Sequence, residues 1–212
     1  MNDFSIFSIQ TFLEELGSSS PAPGGGSVAA ICASLASRLT EMVSNLTIGR
    51  QKFESAEKDM CQARDVARSL SNDFMNLAKR DALAYNAFMR AMVLPKNTED
   101  ERGIREYSMQ EALKVSTLVP LEVLSLTRVL SANSLSVAVH GNPNAVTDAG
   151  VSALLAEAAA KGAAMNVRIN LSSINDHEFV EKCLAQMGSY LAETSRNVHE
   201  TIVYVDSKLK LS

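Results

Sequence analysis

Apolar residues recur roughly every 3.6 positions along almost the whole chain of 212 residues, and no stretch alternates between apolar and polar residues for long. A period near 3.6 places apolar side chains on one face of an α-helix, whereas a strand needs a period of two. We therefore predict an all-α protein, a single-domain bundle of five or six long helices over residues 1–212. The predicted helices cover residues 8–16, 26–46, 53–94, 98–133 or further, 146–171 and 176–209.

Glycine, proline and capping residues indicate where these helices end. Gly49 and Pro95 are expected to stop the second and third helices, and Thr98 with Glu101 forms the T-x-x-E pattern of a capping box. Pro120 lies inside the next helical pattern and lacks the N–H that a helix needs, so we expect a kink or break there. Stripes of small residues on long helices are often buried against a second copy, so we also expect a homodimer.

Composition narrows the possible partners. The formal net charge is −4, so the basic surface that nucleic acid or an anionic membrane requires is not expected, and there is no Trp for base stacking. The three cysteines lack a C-x-x-C pair and the three histidines form no zinc-binding pattern, which predicts no metal site. The first residues, MNDFSIFSIQ, have no basic region followed by an apolar one. We expect a cytoplasmic protein that binds neither nucleic acid nor a membrane.

Three consecutive glycines, Gly24, Gly25 and Gly26, lie at the expected first turn of the second helix, within SPAPGGGSVAA. The N-terminus of a helix exposes unpaired N–H groups and partial positive charge, and glycines allow close approach. A phosphate loop is not indicated, because no G-K-[ST] follows. Two interpretations stay open: a site for an anionic or carbonyl group, or a flexible lead into a tightly packed helix.

Asp81 shares a face of the third predicted helix with apolar residues such as Ala78 and with Tyr85. A carboxylate among apolar side chains loses hydration, so its pKa rises toward the range that suits proton transfer. The alternative is a structural ion pair with Lys79, with Arg80 or with a neighbouring helix.

Asp148, Asn166 and Asn170 fall on one face of the helix predicted over residues 146–171. Buried amides need hydrogen-bond partners, which a heterocyclic ligand would supply. Alternatively, Asp148 caps its helix, and the two asparagines bond across a helix interface. Arg50 and Lys96 are the basic candidates; Lys96 lies in a loop where it either meets a carboxylate ligand or complements a helix end.

Five segments of the chain, taken in order, resemble the cyclodeaminase/cyclohydrolase family. This family comprises the C-terminal domain of formiminotransferase–cyclodeaminase and the single-domain methenyltetrahydrofolate cyclohydrolases of bacteria. The resemblance covers nearly the whole chain. It rests on SPAPGGGSVAA (20–30), NLTIGRQKF (45–53), DALAYNAFMRAMVLPKNT (81–98), GNPNAVTDAGV (141–151) and NVRINLSSI (166–174).

The resemblance implies an all-helical dimer that acts on a tetrahydrofolate carrying a one-carbon unit, without a metal. It also implies that Asp81, at the start of DALAY, is the proton donor and acceptor. The candidate folate-binding residues are Gly24, Gly25, Gly26, Ser27, Arg50, Tyr85, Lys96, Asn142, Asp148, Asn166 and Asn170.

The implied reaction is hydrolysis of 5,10-methenyltetrahydrofolate to 10-formyltetrahydrofolate, in which one carboxylate takes a proton from water and returns it to the departing ring nitrogen. The alternatives are a 5-formiminotetrahydrofolate cyclodeaminase, which releases ammonia, and a non-catalytic folate-binding helical dimer. The glycine turn is expected to hold an anionic or carbonyl group of the folate. Lys96 or Arg50 is expected to meet its glutamate tail. The pterin or the one-carbon bridge is assigned to Asp148, Asn166 and Asn170.

Overall fold

The computed structural model describes residues 4–209, and these contain six α-helices and no strand. The helices are α1 (Ile9–Leu16), α2 (Gly25–Asn45), α3 (Glu57–Met92), α4 (Glu99–His140), α5 (Val146–Leu171) and α6 (His177–Lys208). Short 3-10 turns cover Phe4–Ile6, Gln51–Ala56 and Pro143–Ala145. The predicted all-α class is confirmed, with five long helices and one short helix.

Local signals explain most of the helix ends. The Thr98 hydroxyl accepts a hydrogen bond from the Glu101 N–H, and the Glu101 side chain reaches back to the N-cap backbone, which completes the predicted capping box. After α2 the chain turns through Gly49, whose φ of 75° favours glycine. The break predicted at Pro120 is wrong, because α4 runs through this residue, whereas the kink stays a prediction.

The long helices run up and down. α2 packs against α3 and α5, α4 packs against the same two helices, and α6 lies on α4 and α5. Hydrogen bonds fix the antiparallel register of the first pair: Ser34 of α2 meets Ser71 of α3 at 2.9 Å. As a consequence, the first turn of α2, the later part of α3, the early part of α4 and the last turns of α5 meet at one end of the bundle.

Small residues allow α2 and α5 to approach closely in the core. Buried alanines line both helices, and a Cβ at Gly162 of α5 would lie 3.4 Å from the Cβ of Ala29 of α2. Deeper in the bundle, the hydroxyls of Thr40, Ser134 and Ser152 bond to one another at 2.8–3.1 Å and join α2, α4 and α5. This network satisfies buried hydroxyls that would otherwise destabilise the core.

Among the described residues, α4 is long and apolar enough by length and composition to cross a membrane, and half of its most apolar window is buried inside the bundle. The core helix of a soluble protein meets the same criterion. The contacts of α4 with α3, α5 and α6 account for its apolar character within this fold.

Candidate active site

A cavity of about 280 Å³ opens at the end of the bundle where α2, α3, α4 and α5 meet. Its glycine edge is the start of α2, at Gly24–Gly26, and its apolar wall includes Phe88 and Leu113. The polar side chains in its wall are Asp81, Tyr85, Ser116, Asn166 and Asn170. The cavity therefore gathers the predicted glycine turn, the predicted carboxylate and both predicted asparagines.

The Asp81 carboxylate lies against the N-terminus of α2. The Ser27 hydroxyl donates to Asp81 Oδ2 at 2.9 Å, and the Ser27 backbone N–H also donates to this carboxylate. Ser27 lies in the first turn of α2, where N–H groups have no partner within the helix and the helix dipole favours negative charge. A side chain of α3 thus occupies the anion-binding position of α2.

Gly26 leaves the space that Asp81 fills. A Cβ built at Gly26 would lie 2.6 Å from Asp81 Cγ, closer than real Cβ contacts allow. At Gly25 the nearest atom to such a Cβ is Asn166 Nδ2 at 3.9 Å, and at Gly24 it is the Pro21 carbonyl oxygen at 3.5 Å, both ordinary contacts. At Gly26 the protein's own carboxylate fills this space, whereas the expectation that the glycine turn holds an anionic or carbonyl group of the folate stays a prediction at Gly24 and Gly25.

Burial raises the pKa of the Asp81 carboxyl, because removal from water disfavours the charged form; the two hydrogen bonds from Ser27 oppose this shift without cancelling it. Arg80, considered as an ion-pair partner of Asp81, instead pairs with Glu122 of α4 at 2.7 Å. A half-buried carboxylate at a cavity wall, with a raised pKa, is suited to accept and return a proton.

Asn166 and Asn170 both present amides to the cavity. Asn166 Nδ2 donates to the Gly162 carbonyl at 2.9 Å, and Asn170 Nδ2 donates to the Ser116 carbonyl at 2.8 Å. Within the described part of the chain, the Oδ1 atom of each side chain has no hydrogen-bond donor. The cavity wall therefore carries two amide oxygens that are available as acceptors.

Three predicted binding residues lie at the opposite end of the bundle. Arg50 follows the C-terminus of α2, whose 21 residues separate it from the glycine turn by roughly 30 Å. Asn142 is committed to the fold there: its Nδ2 donates to the Leu46 carbonyl, and its Oδ1 accepts from the Asn144 N–H. Asp148 lies in the first turn of α5, although it is not the N-cap.

Asp148 is also far from the asparagines on its own helix. The span from Asp148 to Asn166 rises by roughly 27 Å at 1.5 Å per residue. The structure thus places Asp148, Asn142 and Arg50 away from the cavity of the same chain, so Asp148 does not lie beside the asparagines within one chain, and the binding roles of these three residues stay predictions. A shared helix face does not imply a shared height along the helix.

Lys96 lies at the cavity end of the molecule but not in the cavity wall. It is exposed in the loop between α3 and α4 and lines a separate depression together with Arg102 and Arg105. Arg102 pairs with Glu99 at 2.8 Å, and Arg105 Nε donates to the Met92 carbonyl at 3.0 Å. Three basic side chains and one acidic side chain, Glu106, thus line this depression, and its residue Gln110 lies within one turn of Leu113 in the cavity wall.

Ser116 was missed by the sequence analysis. The signal in the sequence is Pro120, four residues later, which lacks the N–H that would bond the Ser116 carbonyl inside a helix.

Within residues 4–209, no group of three or more His, Cys, Asp or Glu side chains is arranged to hold a metal ion.

Comparisons with known proteins agree with this architecture. The profile of the family described as formiminotransferase-cyclodeaminase matches residues 8–189. The methenyltetrahydrofolate cyclohydrolase of Methylorubrum extorquens is 39% identical over 197 residues, which cover 92% of this chain and 95% of that protein. The formimidoyltransferase-cyclodeaminase of Rattus norvegicus is 36% identical over 186 residues, 88% of this chain.

The lengths of these relatives differ. The chain spans only about a third of the rat protein, 34%, but nearly all of the Methylorubrum protein. Among solved structures, the formiminotetrahydrofolate cyclodeaminase of Thermotoga maritima superposes with a TM-score of 0.87 at 27% identity, covering 96% of this chain and 98% of that one. Since the family profile matches most of the chain and full-length relatives share its sequence and fold, the chain belongs to the formiminotransferase-cyclodeaminase family.

Proposed function

We propose that this chain is a tetrahydrofolate one-carbon enzyme that hydrolyses 5,10-methenyltetrahydrofolate to 10-formyltetrahydrofolate. The observation that carries the proposal is the Asp81 carboxylate, half-buried at the cavity and held by Ser27 at 2.9 Å. The relative named a methenyltetrahydrofolate cyclohydrolase, 39% identical along nearly its whole length, supports this choice of reaction.

Asp81 supplies both proton transfers of the proposed reaction. As water adds to the cationic amidinium carbon, the carboxylate takes one proton from the water and leaves a hydroxyl on that carbon. The protonated carboxyl then gives this proton to N5 as the bond from N5 to the one-carbon unit breaks. The hydroxyl proton leaves to solvent as the formyl carbonyl forms on N10, so the reaction releases one proton. The raised pKa of Asp81 favours this exchange, because a stronger base accepts the proton more readily.

The size of the cavity supports binding of the reacting half of the folate. A volume of about 280 Å³ is near the lower end of the range of roughly 300–1,000 Å³ for sites that enclose small molecules. We assign the pterin and the one-carbon bridge to the cavity and leave the benzoyl-glutamate outside it. The depression with Lys96 and Arg105 is suited to the glutamate carboxylates, because three basic side chains line it against one acidic side chain, Glu106.

The second candidate reaction is that of a 5-formiminotetrahydrofolate cyclodeaminase, with ammonia as the leaving group. The Thermotoga structure favours it, since that cyclodeaminase also matches over almost its whole length. A match along almost the whole length of a relative therefore does not by itself distinguish the two reactions. Both use the same proton shuttle, and both predict the same residues in the cavity.

An assay with each folate separates the candidates. The purified chain is mixed with 5,10-methenyltetrahydrofolate, whose absorbance is followed, and separately with 5-formiminotetrahydrofolate, from which ammonia is measured. Asp81→Asn at equal concentration is the control for spontaneous hydrolysis. We expect methenyl loss above this control and no ammonia. Ammonia release with accumulation of the methenyl compound would reverse the assignment, and folate binding without either reaction would leave the non-catalytic dimer.

We also propose a cytoplasmic homodimer. Exposed apolar side chains support the dimer: Leu154, Met165 and Ile169 lie on the outer face of α5, at 52%, 68% and 67% exposure, and Lys161, paired with Glu157, lies between Leu154 and Met165 on that face. Leu35 is 55% exposed on the neighbouring helix α2. An apolar face of this kind is suited to burial against a second copy of the chain.

A further inference from the structure

Ser116 carries a buried hydroxyl that no group of the protein satisfies. Its Oγ is shielded from solvent and has no hydrogen-bond partner among residues 4–209. The neighbouring Thr117 hydroxyl bonds back to the Leu113 carbonyl at 2.9 Å, as hydroxyls in helices commonly do. A buried polar group without a partner costs stability, so a hydroxyl kept in this state calls for an explanation.

The position of Ser116 sets it apart from the other unsatisfied groups. Within the described residues, Arg128 Nε and Thr194 Oγ1 are also buried without partners, yet neither residue lines the cavity. Ser116 does line it, on the α4 wall, together with the two asparagines of α5. The Ser116 Oγ is shielded in the ligand-free chain, so a group bound in this cavity reaches the hydroxyl after the side chain rotates about its Cα–Cβ bond, and no bond within the protein has to be broken for that rotation.

The backbone of Ser116 also holds Asn170. Pro120 has no N–H, so the Ser116 carbonyl lacks its partner within α4. Asn170 Nδ2 takes that place at 2.8 Å, and this contact turns the amide so that Oδ1 is left as an acceptor at the cavity. One residue of α4 thus contributes a free hydroxyl and orients an amide on the facing helix.

We propose that Ser116 is a substrate-binding residue whose hydroxyl hydrogen-bonds to the pterin ring of the bound folate. This inference rests on the proposed function. A pterin edge carries an amino group and a ring N–H as donors beside carbonyl and ring-nitrogen acceptors. The amide oxygens of Asn166 and Asn170 match the donors, and the Ser116 hydroxyl supplies the donor that an acceptor atom needs.

The test compares Ser116→Ala with Thr194→Val. Each variant removes one buried hydroxyl that has no partner in the protein, but only Ser116 lines the cavity. Binding of 5-formyltetrahydrofolate is measured by titration calorimetry, and stability by thermal unfolding without ligand. We expect Ser116→Ala to weaken binding roughly 3- to 10-fold, the loss of about one hydrogen bond, without a lower Tm. Thr194→Val should bind like the parent.

Other outcomes contradict the inference in different ways. If the parent binds the folate and Ser116→Ala binds it equally well, Ser116 makes no contact with the ligand, and the proposed function stands. If Ser116→Ala lowers Tm and Thr194→Val weakens binding equally, the hydroxyl acts through the fold and the inference fails. If the parent binds neither 5-formyltetrahydrofolate nor tetrahydrofolate, the proposed function fails, and the role of Ser116 fails with it.

Discussion

Asp81 and Gly26 share one small volume at the N-terminus of α2. Since a Cβ at residue 26 would lie 2.6 Å from Asp81 Cγ, Gly26→Ala forces the carboxylate to rotate away from Ser27. The carboxylate is the end of a side chain, so we expect the chain to fold. A displacement of about 1 Å at a reacting group costs on the order of 100-fold in rate, and we expect a loss of kcat of at least that size.

Gly188→Ala is the matched control for this prediction. Gly188 is exposed within α6, and a Cβ there meets no atom within 4 Å. Replacing a helical glycine by alanine stabilises by roughly 0.8–1 kcal/mol, so Tm should rise while kcat stays at the parent value. Gly26→Ala with parental kcat would mean that Asp81 does not need its place beside Ser27.

Burial of Asp81 also makes a prediction about pH and stability. Its pKa is raised above the ordinary value of about 3.9, so the folded chain holds this proton more tightly than the unfolded chain does. Stability therefore falls as pH rises from the ordinary pKa to the raised one, and the cost is fully present above that window. Asp81→Asn removes the charge. We expect this variant to lose turnover and to have a higher Tm than the parent at about pH 8. The Tm values of the variant and the parent should converge toward about pH 3.5.

Thermal unfolding at both pH values checks this prediction. Asp73→Asn is the control, because Asp73 is exposed on the same helix and lies outside the cavity. Its Tm should differ little from that of the parent at either pH. If Asp81→Asn instead lowered Tm by the same amount at pH 8 and pH 3.5, the main role of the carboxylate would be to cap α2.

At the scale of single helices, Pro120 illustrates how a partner on another helix changes the effect of a residue. A proline inside a helix leaves the carbonyl four residues earlier unpaired, which predicts a break. α4 continues because Asn170 of α5 satisfies the Ser116 carbonyl at 2.8 Å. The helical period along α4 was therefore a sound guide to its existence, whereas its continuity depended on a contact between residues 54 positions apart.

Pro120→Ala tests the coupling between helix and site. Alanine restores an N–H that can bond the Ser116 carbonyl and compete with Asn170, while helix propensity improves. We expect an unchanged or higher Tm together with a KM raised roughly 3- to 10-fold and kcat within about twofold of the parent. A measured KM equal to that of the parent would show that Asn170 keeps its orientation without the proline.

The sequence predicted which residues share a face of a helix, but it did not predict which of them lie at the level of the cavity. Asp148 and Asn166 do belong to one polar row of α5, yet only Asn166 reaches the cavity. Ser152, in the same row, is buried midway and bonds to Thr40 and Ser134. Which part of a row faces a cavity depends on the register of neighbouring helices, which the spacing of residues within one helix does not determine.

At the scale of the whole molecule, the up-and-down topology explains why distant motifs share one site. The first turn of α2 lies beside the later part of α3 because the two helices are antiparallel, and α4 and α5 repeat the reversal. The same reversals carry Arg50, Asn142 and Asp148 to the far end. The order of the helices was thus predictable from the sequence. Which predicted residues lie at the cavity end and which lie at the far end depends on how the helices pack against one another.

The proposed homodimer is a property of the outer surface of this bundle. Leu154, at 52% exposure, lies on the outer face of α5 that we assign to the contact, whereas Leu184, at 42% exposure, lies on α6. We expect light scattering after gel filtration to give a mass of twice the 22.8 kDa of one chain. Leu154→Glu should yield a monomer, since a charge buried in an apolar interface is costly, and Leu184→Glu should remain dimeric. A parent protein that elutes as a single chain at micromolar concentration would contradict the homodimer.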